Sequence, residues 1–226
     1  KIPISILLLG ALLFACPKDM LAQNRRQPKL VLQITVDQLR ADLPLAVLNR
    51  LPDGGFNYLY NEGVVYLNAH HRHANTETVV GHTTLATGAD PSSHGMIGNL
   101  WYDKELKRTV YNVEDYRYPL VGENAGVDKD TEIDPSQAAA STDGRSPSAI
   151  ITTTFSDELA MNTNGKAKVF GVSVKDRGAI TMAGHAGKAF WFSKAKGQFV
   201  TSSYYYDNYP EWVKQWNSQE KYKRYA

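Results

Sequence analysis

Residues Asn75 to Trp101 read NTETVVGHTTLATGADPSSHGMIGNLW, and the organisation of the whole chain follows from how this stretch is parsed. Val79 to Thr87 has helix-like spacing and is closed by Gly88, the residue type that most readily takes the left-handed conformation ending a helix. Thr76 and Thr78 stand at the start of that run. A hydroxyl there sits in the positive end of the helix dipole, beside backbone N–H groups with no partner inside the helix. Such a position binds phosphate and favours an alkoxide over an alcohol. The same spacing also describes a plain N-cap, so on residues alone Thr78 fits both readings. A nucleophile needs one thing more, a cation to lower its hydroxyl pKa.

Upstream, Lys29 to Val36 (KLVLQITV) is short, apolar and β-rich, and predicts a central strand buried on both faces. Asp37 follows at its carboxyl end, the edge where open α/β sheets bind ligands, and is the first candidate ligand for such a cation. An Asp in that place is equally common as a helix N-cap or turn residue. Asp53 to Gly63 predicts a helix with Phe56, Leu59 and Tyr60 on one face, broken by Gly63. From Val64 a second strand is expected to run into His70, His71 and His73. His71 and His73 would share one strand face and His70 the other. No carboxylate lies within the cluster, so these read as polar strand-end residues rather than a metal site.

Composition bounds the answer. The 226 residues are 42% hydrophobic and 21% charged, which excludes wholesale disorder. A net charge of +2 points away from a dedicated nucleic-acid binder. With Cys16 as the single cysteine, neither an internal disulfide nor a cysteine zinc knuckle can form. Ile2 to Ala15 (IPISILLLGALLFA) behind Lys1 has the length of a secretory h-region, short of the roughly 20 residues of a membrane span. Residues 1–22 therefore read as a signal peptide, with 23–226 as the mature chain. Cleavage after Ala22 and a lipoprotein box at Leu13-Phe14-Ala15-Cys16 are both compatible, and both lead to a periplasmic or secreted product. The first residue is Lys1 rather than Met, and a piece of a longer gene product is expected.

Downstream, 122–145 is polar and acidic and reads as a loop or cap segment. Asp128, Asp130, Glu132 and Asp134 alternate like a calcium loop, but Ile133 stands where an EF-hand needs Gly, so a solvated loop is expected. Ser146-Pro147 predicts a helix through Ala160 with Ser146 as N-cap. A strand over Lys168 to Val174 leads into Lys175-Asp176-Arg177, which by composition alone is an exposed charged loop. Gly187-Lys188 lacks the rest of a Walker loop. Trp212 and Trp216, in the aromatic-rich stretch Tyr204 to Tyr225, share one helical face and read as packing rather than base stacking.

Taken in order, Val36-Asp37-Gln38, Thr76-x-Thr78-x-x-Gly81-His82-Thr83, His94-Gly95-x-x-Gly98-Asn99-x-Trp101 and Gly171-Val172-Ser173-Val174-Lys175-Asp176-Arg177 resemble the alkaline phosphatase superfamily. The branch is that of the bacterial phosphate-irrepressible alkaline phosphatases, relatives of the type I phosphodiesterase/nucleotide pyrophosphatase group. The resemblance runs from about Lys29 to Trp216. It implies an α/β fold, an alkaline-phosphatase-like sheet flanked by helices and truncated after the first half of the fold. It further implies zinc-dependent hydrolysis of small-molecule phosphate monoesters through a phospho-threonine intermediate. In that scheme Asp37 is a zinc-binding carboxylate, Thr78 the nucleophile and a zinc ligand, and Asn99 a donor to a phosphoryl oxygen. Lys175 and Arg177 are the pair that separates monoesterases from diesterases.

Two zinc ions are implied, most of whose ligands lie outside this chain. The family's Asp-His pair is missing, and after Gly98 the only histidine is His185. By itself the 226-residue piece is expected to be inactive and to fold poorly. A phosphodiesterase or nucleotide pyrophosphatase is the alternative within the class, and a non-catalytic exported binding module the alternative outside it. A sulfatase is disfavoured, because neither Cys nor Ser stands at the nucleophile position.

Overall fold

The computed structural model describes residues 28–122, 125–130 and 132–224. The signal-peptide and lipoprotein-box readings lie outside the described residues. The chain divides into two units, Lys1–Val36 and Asp37–Ala226. In the first, Pro28 to Val36 forms no strand. Its apolar side chains are open to solvent, Leu30 at 78% and Ile34 at 68% exposure. This corrects the buried central strand expected over Lys29 to Val36. A β-rich segment becomes a strand only when a neighbour supplies the hydrogen-bond ladder, and among the described residues none does.

Among the described residues, the regular structure lies in the second unit. Helices α1 (Leu43–Val47) and α2 (Phe56–Glu62) come first, then α3 (Thr78–Thr87) and the short α4 (Pro91–His94). The expected strand from Val64 is absent, and Val64, Tyr66 and Leu67 are exposed. Helix α3 matches its expected span, and Gly88 ends it at φ 67°. Strands β1 (Leu100–Asp103) and β2 (Arg108–Tyr111) form an antiparallel pair. After α5 (Pro135–Ala138), α6 (Phe155–Asn162) begins eight residues later than Pro147 suggested. The Ser146 hydroxyl is bonded to Asp115 instead of capping a helix, and the true cap is a box in which Thr154 and Asp157 satisfy each other's backbone N–H.

The part that positions the site is β3 (Phe170–Ser173), α7 (Asp176–Ala183) and β4 (Lys188–Ser193), with β5 (Gln198–Val200) antiparallel to β4. Strands β3 and β4 are parallel, so α7 is the crossover helix of a βαβ unit. It lies on both strands and also packs against α3. The approach is close enough that a Cβ at Gly171 would collide with the Ala179 carbonyl oxygen, which is why glycine opens the GVSVKDR run. Val79, Val80, Ala179, Ile180, Ala183, Ala189 and Trp191 form the shared core. Helix α8 (Glu211–Ser218) sets Trp212 edge-on against Phe170 and Phe190, the packing role expected of it. No helix among the described residues is long and apolar enough to cross a membrane.

Candidate active site

The amino ends of α3 and α7 open on one cleft of about 530 Å³, lined by Thr78, Asn99, Asp134, Lys175, Arg177 and Lys194 among others. Thr78 is the first residue of α3, behind Glu77. Its hydroxyl donates to Asp37 Oδ2 at 3.3 Å. The carbonyl of the same residue accepts from His82 Nδ1 at 2.8 Å, and burial lowers the pKa of that imidazole. Asn99 is pinned by its backbone. Its N–H donates to Glu77 and its carbonyl accepts from the Asn112 side chain at 2.7 Å. Asn99 Oδ1 accepts from the Val79 N–H at 3.2 Å, which fixes the amide plane and leaves the Nδ2 donors for the cleft.

Lys175 is the N-cap residue of α7, and Asp176 and Arg177 are its first turn. This corrects the exposed charged loop that composition suggests, since Asp176 is 1% and Arg177 2% exposed. The reason is a buried network. Asp176 accepts from Arg145 Nε at 2.6 Å, Tyr111 Oη at 2.6 Å and Gln137 Nε2 at 2.8 Å. Burial alone would raise its pKa, but the charge of Arg145 and these hydrogen bonds hold the carboxyl below its ordinary value. Arg177 donates to Tyr111 Oη at 3.2 Å, Ser136 Oγ at 3.1 Å and Asp134 Oδ2 at 2.8 Å. Lys175 Nζ reaches the same Asp134 oxygen at 2.5 Å.

Asp134 is therefore not part of a solvated loop. It is buried, and burial, which favours its neutral form, is outweighed by hydrogen bonds from Lys175 and Ser136 and by the charge of Arg177. The carboxyl is held well below the usual range. The alternating acidic run contains Asp134, but nothing in the sequence links it to a lysine and an arginine some forty residues away.

Residues 31–226 match the family model described as type I phosphodiesterase / nucleotide pyrophosphatase. The chain belongs to that family. This phosphodiesterase-family chain is 39% identical over 194 residues to alkaline phosphatase PafA of Elizabethkingia meningoseptica, covering 85% of the chain and 33% of the relative. It is 38% identical over 205 residues to alkaline phosphatase PhoV of Synechococcus elongatus, covering 90% of the chain and 34% of the relative. The crystal structure of PafA superimposes with a TM-score of 0.71 at 38% identity, over 81% of the chain and 33% of that structure. A second PafA crystal structure is of a variant changed at a Thr, an Asn, a Lys and an Arg. The chain thus spans about a third of the length of the curated relatives it matches.

Four residues singled out from the sequence, Thr78, Asn99, Lys175 and Arg177, share the cleft, and Asp37 touches the first of them. As metal ligands, Asp37 and Thr78 offer two oxygens on one edge. Zinc needs about four donors, and no group of three His, Cys, Asp or Glu side chains converges among the described residues. The donor set here does not by itself complete a zinc site. His73 and His94 are instead bonded to the Thr84 hydroxyl, at 3.0 and 3.1 Å, and His70 to Asn68. Asp134, Ser136, Tyr111 and Asp176 were not recognisable as site residues, because each acquires its role through a contact distant in sequence.

Proposed function

We propose that the chain carries the nucleophile half of an exported phosphomonoesterase. The carrying observation is the cleft itself, where a hydroxyl at a helix amino end, an amide with its donors turned inward and two cations meet. The Thr78 oxygen attacks the phosphorus of a monoester, the ester P–O bond breaks, and the alcohol leaves with a proton. Water then cleaves the phospho-threonine to inorganic phosphate and restores the hydroxyl. Asp37, bonded to the Thr78 hydroxyl, orients it. The Asn99 amide donates to a non-bridging oxygen, and the start of α3 adds the positive end of its dipole. Lys175, half-buried beside the cleft, supplies charge to the second negative oxygen that only a monoester has.

Two zinc ions belong to this reading. Asp37 and Thr78 would contribute to holding them, and the other ligands would come from the portion of the relatives that the chain does not span. Their positive charge would stabilise the entering and leaving oxygens. Support comes also from the PafA variant. Its substituted Thr and Asn are 21 positions apart and its Lys and Arg two apart, the separations of Thr78 from Asn99 and of Lys175 from Arg177. Periplasmic or secreted placement, with residues 1–22 as the signal peptide, belongs to the same proposal.

The test uses the protein at its full natural length. Thr78→Ala should abolish turnover of an aryl phosphate monoester, and Asp37→Ala should lose zinc and activity together. Wild-type-like zinc content in Asp37→Ala, or persistent turnover in Thr78→Ala, would refute the assignment.

A further inference from the structure

Lys175 and Arg177 do not face the cleft as two bare cations. Both bind one oxygen of Asp134, at 2.5 and 2.8 Å. The other Asp134 oxygen accepts from the Ser136 N–H at 3.0 Å and from the Ser136 hydroxyl, and that hydroxyl itself accepts from Arg177. The loop before α5 therefore presents a carboxylate where the two cations would otherwise meet an anionic ligand alone. From this geometry we infer that Asp134 is a specificity-determining residue, a resident counter-anion that sets the net charge of the Lys175–Arg177 pair and so the strength with which a phosphoryl dianion is held. This deepens the phosphomonoesterase reading and rests on it. With Asp134 the three groups sum to one positive charge; without it they sum to two. The same dianion is both the reacting group of a monoester and the released inorganic phosphate, so the carboxylate limits retention of product.

Two effects oppose each other when the charge is removed, and their sizes decide the outcome. A carboxylate about 6 Å from a dianion, in an open cleft of effective dielectric near 40, disfavours binding by about a hundredfold. Against this, Asp134 tethers Lys175, and immobilising one long side chain is worth about threefold to tenfold. Arg177 needs no such tether, because it is 2% exposed and keeps Tyr111 and Ser136. The charge wins by about tenfold for a dianion. For a monoanion the electrostatic factor falls to its square root, about tenfold, and the two effects nearly cancel.

The experiment measures binding of inorganic phosphate, at a pH where it is dianionic, and of the monoanion dimethyl phosphate, by calorimetry and by competitive inhibition of the full-length protein. Asp134→Asn should bind phosphate about tenfold more tightly and dimethyl phosphate nearly as the wild type does. Asp134→Glu, which keeps the charge, should return phosphate binding toward wild type. A loop role without the charge effect would move both anions alike and would not distinguish Asn from Glu. Weaker or unchanged phosphate binding in Asp134→Asn, with a melting temperature showing that it folds, overturns the inference. Lys175→Ala separates this from the underlying reading. If it leaves phosphate binding unchanged, the pair does not face the phosphoryl group and the functional reading fails with it. If it weakens binding while Asp134→Asn does not tighten it, only the charge-setting role falls.

Discussion

Replacing Asp176 by Asn should cost about 3 kcal/mol of local stability, because the change strands a buried arginine. Asp176 and Arg145 are 1% and 2% exposed and joined at 2.6 Å. Removing one member of a buried ion pair costs about 3–5 kcal/mol, since the other charge is left without its counter-charge. Arg145 Nη1 keeps the carbonyls of Thr142 and Gly144, at 2.6 and 3.0 Å, which places the expectation at the lower end. Asp176→Ala also leaves the Tyr111 O–H donor and the Gln137 amide without their acceptor, the Tyr111 oxygen keeping only the Arg177 donor. Each unpaired buried group adds about 1–3 kcal/mol, so that variant should lose about 5 kcal/mol or more. The affected unit is α7, whose Ala179 and Ile180 are fully buried in the core. Hydrogen exchange on the full-length protein is the direct assay. A loss of 3 kcal/mol corresponds to roughly a hundredfold drop in protection of the α7 amides that exchange only on opening of this unit. A drop below about fivefold in Asp176→Asn would show that the carboxylate does not hold this turn, and the account of why Lys175 and Arg177 are positioned would fail.

Lys175→Ala should lower kcat/KM for an aryl monoester by about one to two powers of ten, at about 1.5–3 kcal/mol for a charge-assisted hydrogen bond, and spare a matched diester. Equal losses on both substrates would favour the diesterase reading. Arg177→Ala is the poorer probe of selectivity, since a residue 2% exposed and bonded to Tyr111, Ser136 and Asp134 is expected to report stability first. The carboxyls of Asp115, Asp134, Asp157 and Asp176 are all held low, because hydrogen bonds and nearby cations outweigh the burial that opposes ionisation. A folded pKa below the unfolded one contributes stability above about pH 4 and loses it as pH falls further, so the melting temperature should drop steeply below about pH 4. A flat profile between about pH 5 and 3 would contradict this.

How much of this was legible beforehand depends on the range of the interactions concerned. Helix α3, its Gly88 stop, α2 and the β3 strand follow from local spacing, whereas the grouping of Thr78, Asn99, Lys175 and Arg177 comes from the resemblance of the ordered motifs to a known family. A helix is stabilised between residues three and four apart, so its signal is contained in the stretch that forms it. Lys29 to Val36 shows the opposite case, having a strand's composition without a strand's neighbours. Ser146 shows it again at a helix start, where a hydroxyl suited to capping is drawn to Asp115, 31 residues away. The tertiary structure alone decided that Asp176 and Arg177 are buried, that Arg145 and Tyr111 close around Asp176, and that Asp134 lies across both cations. A carboxylate on an acidic loop and two cations after a strand carry no mark of each other in one dimension. Only when α7 packs on β3 and α3 are they brought within hydrogen-bond reach, away from the water that would otherwise solvate them separately.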